Sequence, residues 1–257
     1  MVLTVNIGNT NLTIGGYEAD GQKFCGCLHS DPLATADEYA LLIRELLALY
    51  GCAPGQIEGA ILGSVVPMLT SRVLEALRRL SPVRVLTVGP GLKSGLKLRL
   101  DNPAQLGAEL LCGAVAALDE GRAPLVVIHA DTAISVMAVN DRRELVGGVI
   151  LPGPQLALRS LVQNTAQLPQ IDLARRAPAS VLGTSTEACL ERGMILGTAC
   201  LLDGLAARFC AELGPQTVFY ATGSLPACIR DACATSILYR ESLVLDGLYR
   251  IWQRNRK

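Results

Sequence analysis

The chain has 257 residues, of which 50% are hydrophobic and 18% charged, enough length to bury one or two cores and too apolar a composition for disorder. Lys plus Arg and Asp plus Glu balance at 23 each, which leaves nucleic acid, anionic membranes and polycationic partners without electrostatic support. No run of about 18 apolar residues stands out and Met1–Asn6 carries no basic leader, so the expectation is a cytoplasmic chain with no membrane span.

In chain order, the β-branched run Val2–Ile7 predicts a strand, Gly8-Asn9-Thr10-Asn11 a polar turn, and Leu12–Gly16 a second strand. Thr35-Ala-Asp-Glu38 is a capping box ahead of Tyr39, Leu42, Ile43, Leu46 and Leu49 at helical spacing. Ile57–Val66 and Val83–Val88 predict strands, with a helix over Leu69–Leu80 between them and another over roughly 105–119. After Gly121-Arg-Ala-Pro124 the pattern restarts, with strands over Leu125–His129, Ala133–Val139 and Leu145–Leu151 and helices from Thr186 and Ser242. A strand–turn–strand opening at the head of both halves is an internal repeat, and it predicts two α/β domains, 1–120 and 121–257, with a cleft between them.

Nine cysteines, an odd number scattered over both halves, suit core thiols in a reducing compartment better than a disulfide scaffold. Cys25-Gly-Cys27 and Cys228…Cys233 lack CxxC spacing, and His29 and His129 are read as remote from any zinc cluster. The loop Gly89-Pro-Gly-Leu-Lys-Ser-Gly95 lacks phosphate-loop spacing and reads as a turn, in which Lys93 is as readily solvated as bound to phosphate. Gly8-Asn9-Thr10 can present backbone N–H groups and a hydroxyl to phosphate oxygens, although the same turn also serves a plain hairpin.

Taken together, Ile7-Gly-Asn-Thr10, Thr35-Ala-Asp-Glu-Tyr39, Ser64-Val-Val-Pro67, Val88–Gly95, Asp101-Asn-Pro103, Gly107-Ala108, Thr132-Ala133, Gly147–Gly153, Leu168-Pro169, Thr186, Asp203-Gly204 and Ala221-Thr-Gly223 give the chain its likeness. It resembles, collinearly and over its whole length, the type III pantothenate kinases of the sugar kinase, heat-shock chaperone and actin superfamily. The resemblance implies two ribonuclease-H-like (actin-like ATPase) domains, ATP in the cleft, Mg²⁺, a monovalent cation (K⁺ or ammonium), and pantothenate bound at a dimer interface. The implied reaction moves the γ-phosphoryl group to the pantothenate hydroxyl, toward coenzyme A, and needs positioning, a divalent cation and a proton acceptor. On this resemblance Asn6, Gly8, Asn9, Thr10, Thr132 and Ala133 face the nucleotide, and Leu100, Gly107, Ala108, Leu110 and Thr186 face pantothenate.

The departures from the family fall where the chemistry sits. Its Asp-x-Gly-Asn-Thr begins here with Asn6, a neutral amide at a metal-associated position. Its Gly-Ala-Asp-Arg reads Gly107-Ala108-Glu109-Leu110, so the base position holds a carboxylate one methylene longer, and Leu110 donates no hydrogen bond. Its Asp-x-Gly-Thr-Ala reads His129-Ala-Asp131-Thr132-Ala133. Asp131 shares a strand face with residue 129, but it stands where glycine lets backbone approach phosphate, so loss of the cation site is favoured over its relocation. The family's Tyr before Asp-Asn-Pro is Leu100, and its Lys-Asn-Thr is Thr184-Ser185-Thr186.

Two of the changed residues also have a plain reading, Asn6 as a turn cap and His129 as a hydrogen-bonded buried histidine, and the retained Asp101 reads as a stay of its own loop. The combined expectation is a dimeric homologue, catalytically impaired alone, that serves as a subunit with a paralogous type III kinase, Thr186 reaching across to the partner's pantothenate. The alternatives are an active kinase with Glu109 as base and Asp131 at the cation, and a ligand-binding sensor without turnover. The apolar helix Ala188–Cys210 offers a partner face or a core helix equally.

Overall fold

In a computed structural model, which describes residues 1–173 and 176–256, the run Val2–Ile7 forms strand β1. Its pleat sends Leu3, Val5 and Ile7 to one buried face and Thr4 and Asn6 to the other. β2 (Asn11–Glu18) and β3 (Gly21–His29) follow as an antiparallel meander, while β4 (Gly59–Ser64) and β5 (Val85–Thr87) run parallel to β1. The sheet order is β3-β2-β1-β4-β5. The third strand is absent from the sequence expectation because its outward residues, among them Lys23, Cys25 and Cys27, break up the apolar run.

Helix α1 (Ala36–Leu49) begins at the predicted capping box: the Glu38 N–H donates to Thr35 Oγ1 at 3.3 Å and the Thr35 N–H to Glu38 Oε2 at 2.6 Å. With α2 (Pro67–Leu80) it covers the Leu3–Val5–Ile7 face of the sheet, through Tyr39, Ile43 and Leu47 from α1 and Leu69, Val73 and Leu77 from α2. Leu42 and Leu49, expected on that face, are 44% and 78% exposed, because the sheet meets α1 along the 36–39–43–47 line.

The short strand β6 (Lys97–Leu98) and a 3₁₀ turn over Pro103–Gln105 lead to α3 (Ala108–Glu120), which therefore starts later than the predicted helix; the Asn102 side chain caps the turn at the Ala104 N–H, 3.2 Å. The expected restart appears as β7 (Leu125–Ala130), β8 (Ala133–Val139) and β9 (Glu144–Pro152), again antiparallel. After α4 (Pro154–Gln163) and α5 (Thr186–Leu213) come β10 (Val218–Gly223), α6 (Ala227–Ala232) and β11 (Ile237–Tyr239), with β10 and β11 parallel to β7. The order β11-β10-β7-β8-β9-β6 repeats the first sheet strand for strand, with β6 added at one edge. Helix α5 is long and apolar enough to cross a membrane by length and composition, where the sequence expectation has no such span; here its Ile195, Ala199, Leu202 and Ala206 line enters the second core.

Contacts divide the chain into two units: Met1–Lys97, Asp101–Ala116 and the residues from Ser242 onward form one, and Leu98–Leu100 with Ala117–Glu241 the other. The expected linear division gave the last helix, α7 (Leu243–Asn255), to the second domain, whereas it packs in the first unit. The physical reason is glycine. A Cβ on Gly59 would collide with the Trp252 ring, and one on Gly247 with the Cys112 carbonyl, so α7 lies directly on β4 and on the backbone of α3. The cysteines also differ from the expected core thiols. Cys112 and Cys228 are buried, but Cys25, Cys27, Cys189 and Cys200 are exposed, and Cys25 and Cys27 share the outer face of β3 with His29, so that histidine is not remote from them.

Candidate active site

In the first unit the sequence-derived residues gather at the carboxyl ends of β1 and β4, where ligands of open α/β sheets bind. Gly8, Asn9 and Thr10 connect β1 to β2; Gly8 is buried and the other two exposed. The turn is pinned from inside, with the Gly8 N–H donating to the Asn11 carbonyl at 2.9 Å and the Ser30 hydroxyl and N–H donating to the carbonyls of Gly8 and Thr10 at 2.8 and 2.9 Å. Ser30 is buried just beyond β3, and no spacing in the sequence marks it.

Asn6 stands one residue before the end of β1, opposite Thr13 of β2 and Gly63 of β4. Gly63 marks the meeting point: a Cβ there would lie 3.3 Å from Leu248 of α7, 3.4 Å from Ala108 at the head of α3 and 3.8 Å from Asn6 Oδ1. The Asn6 amide and the first turn of α3 thus flank one glycine, and Glu109 and Leu110 follow on that turn, both half-buried. A Cβ on Gly107 would lie 3.7 Å from Val65 and 3.9 Å from Leu110, so the surroundings of that glycine are apolar. The Glu109 carboxylate sits at a helix N-terminus, favourable for an anion. Burial, and then the charge of Glu109, push the Cys112 thiol well above its ordinary range, so it stays protonated and offers no nucleophile.

One atom stands out electrostatically. Asn6 Oδ1 is buried and accepts no hydrogen bond. A buried carbonyl oxygen without a donor costs about 1–3 kcal/mol, and the β-sheet around it offers no correction.

The second unit gathers the others at the carboxyl ends of β7 and β10. His129, 7% exposed, lies opposite Ser135 of β8 and Thr222 of β10. Asp131 and Thr132 form the β7–β8 turn, closed by the Asp131 N–H donating to the Ala133 carbonyl at 2.9 Å. Two glycines build a shelf against it. A Cβ on Gly153 would come within 2.6 Å of the Asp131 carbonyl and 2.7 Å of the Thr132 carbonyl, and one on Gly223, whose φ is +82°, would strike the Ala130 carbonyl. The Gly153 N–H donates to Thr132 at 3.0 Å and the Ser224 N–H to Ala130 at 2.5 Å. Gly153, Gly223 and Ser224 are absent from the sequence-derived site, although the runs Gly147–Gly153 and Ala221–Gly223 carried the signal. Leu100 lies half-buried beyond β6, and Thr186 is exposed on the first turn of α5, behind the cap that Ser185 Oγ makes with the Ala188 N–H at 3.2 Å.

The resemblance puts a divalent cation near Asn6 and a monovalent one near residue 129. Among the described residues no three His, Cys, Asp or Glu side chains gather closely enough to hold a metal ion. Mg²⁺ takes charged hard oxygens, and Asn6 brings one neutral oxygen. At 129 an imidazole nitrogen stands where K⁺ calls for oxygen. The donor sets do not fit protein-held cations.

Known proteins place this arrangement. The sequence model of the type III pantothenate kinase family matches residues 2–208. A type III pantothenate kinase of Anaeromyxobacter sp. is 34% identical over 256 residues, 100% of both chains, and type III pantothenate kinase 2 of Symbiobacterium thermophilum is 36% identical over 258 residues, 99% of this chain and 97% of its own. Among solved structures, a Baf family transcriptional activator from Campylobacter jejuni superposes with a TM-score of 0.61 at 17% identity, covering 99% of this chain and 98% of its own. The (R)-2-hydroxyglutaryl-CoA dehydratase component A of Acidaminococcus fermentans gives 0.55 at 10% identity, covering 100% and 99%. These likenesses show the fold alone, that of the actin-like ATPases with its two mixed sheets.

Proposed function

The chain belongs to the type III pantothenate kinase family, whose members phosphorylate pantothenate in coenzyme A biosynthesis, and from that premise we propose that it is a kinase subunit impaired on its own. The observation that carries the reading is the buried Asn6 oxygen without a partner. Phosphoryl transfer rests on positioning and on charge neutralisation around the transferred group, and the family runs on ATP with a metal ion. A neutral amide at the end of β1 is a poorer ligand than a carboxylate for the divalent cation that would neutralise that charge.

The retained parts support nucleotide binding. Asn9 and Thr10 are exposed on a turn held rigid by Ser30, and Thr132 with Ala133 stands on the Gly153–Gly223 shelf. Glu109 is the only one of the three altered acidic positions that keeps its charge in place, and in this reading it accepts the hydroxyl proton of pantothenate, less well than an aspartate whose reach the pocket suits. Leu110 and Leu100 contribute shape and no hydrogen bond to the pantothenate side.

The second unit supports association with another subunit. The outer face of β9 presents Ile150, 72% exposed, and Val146, 37% exposed, and α5 adds Leu201 at 42%. Thr186 is exposed at the start of the same helix, available to complete a partner's pantothenate site. A dimer with a paralogous type III kinase in the cytoplasm, this chain acting as scaffold or regulator, accounts for a subunit that keeps Thr186 while its own base, cation and guanidinium positions have changed.

The test is pantothenate-dependent ADP formation with Mg²⁺ and K⁺ or ammonium, on this chain alone and co-purified with a paralogous kinase from the same cell. Silence alone with activity in the mixed complex is the expected result. Turnover by the chain alone that Glu109→Gln abolishes overturns the impairment, and makes Glu109 a working base. Silence in both, with saturable ligand binding, overturns the subunit reading in favour of a sensor. The variant Asn6→Asp combined with Glu109→Asp and Leu110→Arg is expected to gain turnover at least tenfold over the unmodified chain, since a carboxylate that would hold a divalent cation, the shorter base and a guanidinium donor return together.

A further inference from the structure

Strand β3 carries chemistry that the kinase reading does not use. It is the edge strand of the first sheet, and its pleat alternates Phe24, Gly26 and Leu28 against α1 with Cys25, Cys27 and His29 on the outer face, all three exposed. Thiols usually lie inside proteins, and two exposed ones at i and i+2 followed by an imidazole at i+4 are neither packing nor turn chemistry. On β2 the residues opposite are Gly15, Thr13 and Asn11.

Spacing decides what the pair can hold. Residues i and i+2 of a strand lie about 6.6 Å apart at Cα, at the upper limit for a disulfide, whose Cα atoms prefer about 5.5–6 Å. The strand is not free to contract. A Cβ on Gly26 would stand 2.7 Å from Leu46 Cδ1, the Tyr50 hydroxyl donates to the Cys25 carbonyl at 2.8 Å, and the Phe24 and Tyr50 rings stack at 4.9 Å. An atom bridging the two sulfurs at about 2.3 Å each separates them by about 4.6 Å, which two thiols rising from one face reach in their ordinary rotamers. No third acidic, imidazole or thiol group converges there among the described residues, so the ion must accept two ligands in line. Soft thiolate pairs with that geometry select copper(I).

We propose that Cys25 and Cys27 form a surface site for a soft, two-coordinate cation of the copper(I) class, with His29 next in line on the same face. Binding replaces two S–H bonds by two S–Cu bonds: two thiols and Cu⁺ give a dithiolate complex of charge −1 and two released protons, with no change of oxidation state. The proposal stands or falls apart from the kinase reading.

The test titrates the reduced full-length chain anaerobically with copper(I) against bicinchoninate, following proton release and sulfur coordination by X-ray absorption. One tightly held equivalent with two sulfur ligands and two protons released is expected. Cys25→Ser and Cys27→Ser each weaken it by about two orders of magnitude, with circular dichroism unchanged, and Cys189→Ser/Cys200→Ser leaves it intact. Retention of that equivalent in the Cys25→Ser/Cys27→Ser chain, its loss in Cys189→Ser/Cys200→Ser, or ready closure of a Cys25–Cys27 disulfide under mild oxidation overturns the proposal.

Discussion

The first unit ends its leading strand with an amide oxygen that nothing bonds, and the second ends its leading strand with a buried imidazole, although β1 and β7 hold the same place in the same strand order. Each sheet holds an antiparallel meander of three strands with two parallel strands added, the second with β6 at its edge besides, and each puts a polar turn after its first strand. The lesson is that this scaffold is built from backbone pairing and from the other face of the strand. Leu3, Val5 and Ile7 hold β1 in place whatever stands at position 6, and Val126, Ile128 and Ala130 do the same for β7, so the penultimate residue can change its chemistry without changing the fold.

The strongest way to break that comparison is at the glycines that let backbones touch. Gly247→Ala in the first unit and Gly223→Ala in the second each force a Cβ into a carbonyl, Gly223 at a positive φ as well. Both are expected to cost about 3 kcal/mol in urea unfolding. A loss under 1 kcal/mol at Gly247 would mean that α7 is not seated on α3 as described.

Next in size is Asp203 of α5 in the second unit. Burial pushes its carboxyl up, but the N–H groups of Ala234 and Thr235, at 2.9 and 2.8 Å, with the Thr235 side chain, hold it below the usual carboxylate range. A depressed folded value contributes stability that is present above the unfolded pKa of about 4 and is lost as pH falls through the folded value. Asp203→Asn is expected to remove about 2 kcal/mol at pH 7 and to flatten the acid limb of the stability profile. An unchanged acid limb would assign that limb to other carboxylates.

A sharper comparison replaces the two penultimate residues by leucine. Asn6→Leu removes an unbonded buried oxygen and is expected to stabilise the chain by about 1 kcal/mol, whereas His129→Leu deletes a buried imidazole that has a polar or electrostatic contact and is expected to destabilise it by a similar amount. Thermal unfolding reads both signs, and a loss at Asn6→Leu would show that the amide has a structural task. The smallest effect is expected at Ser30→Ala, which removes one hydrogen bond to Gly8 and costs about 1 kcal/mol or less, with a larger proportional loss of nucleotide affinity as the 8–10 turn loosens.

Much of the scaffold was legible. The Val2–Ile7 and Ala133–Val139 strands and the Thr35 capping box stand where the pattern puts them, because period-2 alternation and a helix cap are written within a few residues. The strand β3 was not, since an edge strand with exposed thiols lacks an apolar period. Of the site, the turns at 8–10 and 131–133 were legible as polar breaks between strands; the pin from Ser30 and the shelf of Gly153 and Gly223 were not, because each joins residues more than 20 apart along the chain.

The sequence by itself determined the family, the doubled α/β plan and which chemical groups stand at positions 6, 109 and 129, since these depend on residue identity and local order alone. Only the tertiary structure decided that α7 belongs to the first unit, that Asn6 Oδ1 finds no donor, and that Cys25, Cys27 and His29 share one face. Those outcomes depend on which backbones come within contact of one another, on Gly247 against Cys112 and Gly63 against Ala108, and on the pleat of one edge strand, and no local period encodes such meetings.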